Sequence, residues 1–373
     1  MIRMRQSGST RRAFAGALTA AALGASPKPT VQPAQYPLFR ARGTHRELGR
    51  QHGEQAANYI KRHLDLMCAS HKISGAELRR RSLLFQPMFE RHCPHLLHEI
   101  RGLAEGARID TADALACNIR SLPKGGEEGC TAYVVSGSGT AERGILAGQN
   151  SDMDSRIPPL AYVLHLQPKN KPEVLIWTFG GMIGYHGMNS VGIAHFANAL
   201  GGGPKGRFAM PHYPVKRMML ECTSLDQAVE LLRTVPLNSN GNYVLCDGKG
   251  QILDVEATTA GAEILRDNGA GFLAHTNHFL CQRYARKENF AQSWPDSFPR
   301  IERMNQLIRS RYGALTVADI QSFLRDHSGK TTGICRHDEQ SQTVASLIAE
   351  PARRSLHVAA GNPCQSQYIT YSM

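Results

Sequence analysis

Beyond its first 25 residues the chain has no uninterrupted apolar stretch of the roughly 20 residues that a membrane-spanning helix requires, which excludes a polytopic membrane protein. Aromatic residues are few, with only two Trp, and the Lys and Arg are dispersed instead of alternating with aromatics along one stripe. A nucleic-acid groove needs such a stripe, so the formal charge of +12 does not argue for nucleic acid. Charged residues make up only 20%, and aliphatic residues run throughout, so the chain is not disordered. Internal repeats and low-complexity tracts are absent. The nine cysteines are odd in number and irregularly spaced, and a chain of 373 residues buries enough surface to fold without covalent staples. No disulfide framework is expected. Cys68, Cys117 and Cys246 lie in apolar contexts and read as inert core thiols.

At the N-terminus, Arg3 and Arg5 precede Ser9-Thr10-Arg11-Arg12-Ala13-Phe14 and a small, apolar run from Ala15 to Ala25. A basic stretch followed by a short apolar one reads as a secretory signal, and the Arg pair with Phe two positions on resembles a twin-arginine export signal. Residues 1–25 are therefore expected to be a signal segment and the protein to be exported, to the periplasm. Cleavage near Ala25 removes four Arg and no acid, lowering the formal charge from +12 to +8. No Cys follows the apolar run, so a lipid anchor is not supported.

From about Arg40 to Arg120 the pattern is helical. Thr44 with Glu47, and Ser74 with Glu77, fit the capping box, in which side chains satisfy the unpaired amides of a helix start. Pro94 opens a helix carrying Leu96, Leu97, Ile100 and Leu103, ended by Gly106, and a short one holds Ala114, Leu115 and Ile119. A polar, Gly-rich loop, Leu122 to Gly129, follows. Short β-branched and aromatic strands come next at 131–136, 144–149, 161–167, 174–178 and 191–198. Helices are expected at 214–222 and 225–235, strands at 243–246 and 252–257, then helices at 298–311 and 317–326. A strand pair, 344–349 and 355–360, turns at Pro351. Strands massed between helical blocks indicate an α+β layered fold.

The chemistry centres on Gly129-Cys130-Thr131. Cys130 stands where the Gly-rich loop meets the first central strand. A thiol there can attack the carbonyl of Gly129, and hydrolysis of the resulting thioester starts a new chain at Cys130. Such a residue carries its own base, because a free α-amine titrates near ~7.7–8.0 and a thiol near ~8.5. From the dipeptide alone, a buried strand cysteine is the default reading.

The neighbouring motifs change that balance. They are Gly43-x-x-x-x-x-Gly49-Arg50-x-x-Gly53, Gly102-Leu103-Ala104-Glu105-Gly106, Asn118-Ile119-Arg120, Gly129-Cys130-Thr131-Ala132-Tyr133 and Gly148-Gln149-Asn150-Ser151-Asp152. Further on come Gly187-Met188-Asn189-Ser190-Val191-Gly192, Asn198-Ala199-Leu200, His275-Thr276-Asn277-His278-Phe279, Ile334-Cys335-Arg336-His337 and Gly361-Asn362-Pro363-Cys364. In this order the chain resembles the isopenicillin-N acyltransferase family of N-terminal-nucleophile hydrolases. The resemblance implies a four-layer αββα sandwich and self-cleavage before Cys130. It further implies a helical chain of residues 26–129 that stays associated with a catalytic chain of residues 130–373.

The same resemblance makes Cys130 the nucleophile and Asp152 the carboxylate near the new amino terminus. Asp152 lies twenty-two positions after Cys130, so a hairpin can return it there; a plain turn residue is the alternative. Asn198 is the implied oxyanion donor, against a strand-end turn before Gly201. Thr131, Asn150, His275 and Asn277 are expected to support the site. The chain departs from the fungal acyltransferase at Ala132 and Ser151, and Glu339-Gln340 stand where a Ser-Arg pair is expected. Arg336 is the nearest basic substitute. The expected substrate is a small acyl amide or acyl thioester, hydrolysed in preference to being transferred, and no cofactor or metal is called for. Two rivals stand beside this reading. One is zinc bound by His275, His278 and Cys281, and the other is a catalytically silent exported binding protein.

Overall fold

The structure is a computed structural model that describes residues 34–119, 129–285, 295–329, 333–338 and 341–373. The expected signal segment 1–25, Arg120 with the loop 121–128, and Glu339-Gln340 lie outside the described residues.

The first element is a strand, β1 (Leu38–Gly43), where the sequence pattern reads as helix from about Arg40. Its partner is far along the chain: it pairs in parallel with residues 163–168, a contact that no local pattern announces. Helix α1 (His45–His71) begins on the full Thr44/Glu47 capping box. At α2 (Gly75–Leu83) only half of the expected box forms. Ser74 caps the Glu77 amide at 3.2 Å, but the Glu77 carboxylate turns to Arg80 and Arg81. Then come α3 (Gln86–His92), α4 (Pro94–Ala107) and α5 (Thr111–Cys117). Helices α1 and α4 pack backbone to backbone. A Cβ on Gly49 would strike the Glu99 carbonyl, and one on Gly102 would strike that of Arg46, so the motif glycines are the notches of this helix pair.

The central strands are β2 (Cys130–Val135), β3 (Leu146–Met153), β4 (Ala161–Pro168), β5 (Val174–Phe179), β6 (His186–Asn189) and β7 (Ala194–Ala199). The strand expected over 191–198 is β7, which starts only at Ala194 because residues 190–192 form the turn from β6, in which Gly192 has φ +92°. After α6 (His212–Leu220) and α7 (Leu225–Thr234) follow β8 (Gly241–Cys246), β9 (Ile252–Thr258), β10 (Gly261–Leu265) and β11 (Phe272–His275). The chain continues through α8 (Ser297–Arg311), α9 (Val317–Leu324), β12 (Gln342–Glu350), β13 (Ser355–Ala360) and β14 (Tyr368–Ser372).

These strands form two sheets, an eight-stranded one in the order β1-β4-β5-β6-β7-β8-β9-β10 and a six-stranded one in the order β11-β2-β3-β12-β13-β14. Strand alternation sorts the side chains into layers. Tyr162, Leu164 and Leu166 face α1 and α4, while Val163, Leu175 and Trp177 face the second sheet. From that sheet Ala132 and Val134 point inward, while Tyr133 and Val135 meet Ile301, Met304 and Ile320 of α8 and α9. The architecture is the αββα sandwich. Cys117 and Cys246 are buried as expected, but Cys68 is only half-buried on α1, because its helix face looks partly to solvent.

Candidate active site

Cys130 is the first residue of β2, one end of a hairpin with β3 in which Cys130 pairs with Ser151 and Thr131 with Asn150. One step beyond, the Asp152 N–H donates to the Gly129 carbonyl at 2.9 Å. The hairpin thus returns Asp152 to the Gly129–Cys130 junction. Gly129 and Cys130 are both buried, so the junction itself is enclosed. A side chain at position 129 has no room: its Cβ would strike the Arg336 guanidinium and lie 3.1 Å from Asp152 Oδ2.

Asp152 is fully buried. Its Oδ1 accepts from the Thr343 hydroxyl at 2.7 Å, and its Oδ2 has no hydrogen-bond partner among the described residues. Burial pushes the carboxyl up to about 7, against the pull of Arg336, Arg300 and the Thr343 hydroxyl. Arg336 Nη1 stands 3.3 Å from Asp296, and its Nη2 donates to Asp338 at 2.9 Å.

Arg300, on the first turn of α8, is the residue the sequence reading misses, since nothing in a helix pattern separates it from other arginines. It is completely buried. Its Nη1 donates to the Cys130 carbonyl at 2.6 Å and to Thr131 Oγ1 at 3.0 Å, its Nη2 to Asn277 Oδ1 at 2.8 Å, and its Nε to Asp296 at 2.8 Å. A planar guanidinium fork suits such simultaneous contacts. Asn277 Oδ1 also accepts the Cys130 N–H at 3.0 Å, and Asn277 Nδ2 donates to the Ala199 carbonyl at 3.0 Å. Asn277, Thr131 and Arg300 together hold the backbone at Cys130.

Asn198, near the end of β7, lines the same cleft as Cys130, together with Asn242, Tyr243, Tyr185 and Lys216. Its Nδ2 donates to the carbonyls of His275 and Thr276 at 2.9 and 3.0 Å, and its Oδ1 is buried without a hydrogen-bond partner among the described residues. Asn198 therefore lines the cleft, but its amide hydrogens serve carbonyls at the end of β11 and just beyond it. Asn150 lies on the helix side of β3, donating to the carbonyls of Leu324 and Ile334 at 2.9 and 3.0 Å; it secures that layer and does not reach the cleft. Lys216 is placed by α6, whose next residue, Arg217, is fully buried and donates to Glu99 at 2.6 Å. The Lys216 ammonium stands 4.3 Å from the centre of the Tyr185 ring.

His275 is buried behind Asn198. Its Nε2 lies 2.9 Å from Glu256 and its Nδ1 2.9 Å from the Thr276 carbonyl. Burial works to lower its pKa, but Asp254 and Glu256 outweigh that and raise it. With both ring nitrogens so engaged, His275 braces the loop and is not a zinc ligand in this arrangement. His278 Nδ1 turns to Ser297 Oγ at 2.8 Å. The three-residue spacing had its value only on a helix, and β11 ends at His275.

The family model described as acyl-coenzyme A:6-aminopenicillanic acid acyl-transferase matches residues 139–365. The chain belongs to that family. The matched stretch contains Asp152, Asn198, Asn277, Arg300 and Arg336 and begins nine residues after Cys130. The 40 kDa form of acyl-coenzyme A:6-aminopenicillanic-acid-acyltransferase from Emericella nidulans is 25% identical over 350 residues, covering 88% of this chain and 95% of the relative. Among solved structures, a mutant conjugated bile acid hydrolase from Clostridium perfringens aligns at TM-score 0.44 and 13% identity, covering 65% of this chain and 97% of that one. Penicillin V acylase from Agrobacterium tumefaciens aligns at TM-score 0.42 and 14% identity, covering 68% and 81%. As a member of that family the chain is an enzyme of acyl-group chemistry.

Proposed function

We propose that the chain is a self-cleaving cysteine amidohydrolase whose nucleophile is the Cys130 thiol. The observation that carries this reading is the Asp152 N–H on the Gly129 carbonyl at 2.9 Å, a donor already aimed at the oxygen that gains negative charge when the neighbouring thiol attacks. Cys130 Sγ bonds to the Gly129 carbonyl carbon, the C–N bond breaks, and the freed nitrogen takes up a proton. Water then hydrolyses the thioester, leaving a carboxylate on Gly129 and an α-amine and thiol on Cys130. The chain ending at Gly129 remains packed through α1 and α4 against the first sheet.

In turnover, the new α-amine accepts the thiol proton and the thiolate attacks the acyl carbonyl. Asn277, whose Oδ1 already receives the Cys130 N–H, orients that amine with Asp152. Asn198 turns one amide hydrogen to the oxyanion. The amine product leaves with the proton, and water releases the acid. The Lys216 ammonium in the same cleft favours substrates carrying an anionic group, such as N-acyl amino acids. An exported location, read from residues 1–25, leaves water as the available acceptor, so hydrolysis is placed ahead of transfer from coenzyme A thioesters.

Intact mass and N-terminal sequencing test the first step: two chains, one beginning at Cys130, are expected, and Cys130→Ala should remain one chain. A Cys130→Ala protein that still splits at this bond overturns the mechanism, and a wild type that stays whole favours the silent binding protein. Offering N-acyl amino acids and coenzyme A thioesters in parallel tests the second step. Faster turnover of thioesters, with the acyl group captured by an amine, overturns the preference for hydrolysis.

A further inference from the structure

Away from the cleft, four side chains from three separate segments converge. His327 follows the C-terminal end of α9, Cys335 and His337 precede β12, and Cys364 follows β13. Their donor atoms, two imidazole nitrogens and two sulfurs, all lie within 4.8 Å of one another. His327 Nε2 is 3.1 Å from His337 Nε2, and Cys335 Sγ is 3.7 Å from Cys364 Sγ. His337 Nε2 is 3.5 Å from Cys335 Sγ and 3.2 Å from Cys364 Sγ.

A tetrahedral zinc ion with Zn–S near ~2.3 Å and Zn–N near ~2.0–2.1 Å sets the expected edges of such a cluster. They come to about 3.8 Å between sulfurs, about 3.5 Å between sulfur and nitrogen, and about 3.3 Å between nitrogens. The four separations given above follow that ranking and lie within a few tenths of an ångström of it, and the two from His327 to the sulfurs fall within 4.8 Å. Two thiols brought together for a disulfide would have no use for two imidazoles pointed at the same place. The surroundings are fixed as well. The Cys335 N–H donates to the Asp326 carbonyl at 3.0 Å, and Asn362 Nδ2 donates to the Arg336 carbonyl at 2.6 Å while approaching Cys335 Sγ at 3.9 Å. A Cβ on Gly333 would lie 3.0 Å from the Cα of His327, so glycine there eases the close meeting of the two segments. Outer contacts of this kind orient first ligands and tune sulfur.

The geometry points to a structural zinc site formed by His327, Cys335, His337 and Cys364, which clamps the segment carrying Arg336. Four protein ligands leave no open position, so the ion braces and does not activate water. Its place gives it a purpose. Arg336 sits between two of the ligands, and its guanidinium closes over Gly129 and Asp296. Tying Cys335 and His337 to Cys364 and His327 fixes the backbone on both sides of that arginine. Ligands at 327, 335, 337 and 364 come from three separate segments of the chain, so the sequence pattern does not announce them.

The test uses the full-length protein, reduced, stripped with a chelator, and loaded with Zn²⁺ or Co²⁺. A Cys130→Ala version run in parallel removes the nucleophile's thiol as a competing ligand. One metal per chain is expected by elemental analysis in both, with the visible bands of tetrahedral cobalt and a thiolate charge-transfer band in the near ultraviolet. Zn²⁺ should raise the melting temperature of the stripped protein, since a ligand bound only by the folded state stabilises it. Cys364→Ser and His327→Ala, both at exposed positions, should lose at least nine-tenths of the bound metal and the zinc-dependent rise in melting temperature. Cys68→Ser should keep both. Full stoichiometry and an unchanged cobalt spectrum in Cys364→Ser would overturn the site, as would a reduced wild type that retains no metal. A Cys335–Cys364 disulfide in protein taken from its own cells would also overturn it.

Discussion

Asp152 and Thr343 meet across the β3–β12 pairing, where the threonine hydroxyl donates to Asp152 Oδ1 at 2.7 Å. That contact leaves Oδ2 of a fully buried carboxylate directed toward Gly129, beside Arg336. A carboxylate with one oxygen satisfied and the other held next to this peptide bond stands where the proposed cleavage would draw on it.

Its titration follows. The pKa of Asp152, about 7, lies above the ordinary carboxylate value, so the folded state favours the protonated acid. Stability from this group is fully present below about pH 4 and is lost as pH rises through about 7. Urea unfolding of uncut Cys130→Ala protein between pH 4 and 8 should show this decline, and adding Asp152→Asn should flatten it. An equal decline in the double variant assigns the slope to other groups.

Gly129→Ala should fold yet cut slowly. The added methyl meets the Arg336 guanidinium and must displace it or the loop, which moves the carbonyl from its Asp152 donor. A fall of at least about tenfold in cleavage rate, equivalent to about 1.4 kcal/mol in the barrier, is expected from a gel time course. An unchanged rate rejects the crowding as a control on processing.

Asn198→Ala, studied in protein already cut at Cys130, should lose about 10²–10³ in kcat if the amide meets the oxyanion. Because the same amide holds the His275 and Thr276 carbonyls, circular dichroism and melting temperature should accompany the kinetics. Full turnover in Asn198→Ala removes the oxyanion assignment.

Arg300→Lys keeps the charge but not the fork. Lysine cannot serve Asp296, the Cys130 carbonyl, Thr131 and Asn277 together. We expect a loss of about 1.5–3 kcal/mol in stability for each hydrogen bond of the charged fork that lysine leaves unmade, and little processing. Thermal melts and the cleavage assay read both. A variant as stable as wild type shows that the fork is dispensable.

The amino-acid sequence by itself determined the local elements and the place of the Gly129–Cys130 junction. Thr44 with Glu47 starts α1, short β-branched and aromatic runs write β2, β4 and β5, and Gly129-Cys130-Thr131 marks the loop-to-strand step, because caps, side-chain shape and a residue's place after glycine act through near neighbours. Tertiary structure alone decided the rest. Strand β1 exists because residue 163 lies beside it, and β10 because it finds an edge on β9. Arg300 reaches a carbonyl 170 residues earlier in the chain, Thr343 a carboxylate 191 residues earlier, and Asn277 an amide 147 residues earlier. Each of these side chains is unremarkable in its own segment. Its role comes from partners that only the packing of one sheet on another and of α8 on β2 brings within hydrogen-bond distance, where burial makes every such contact count.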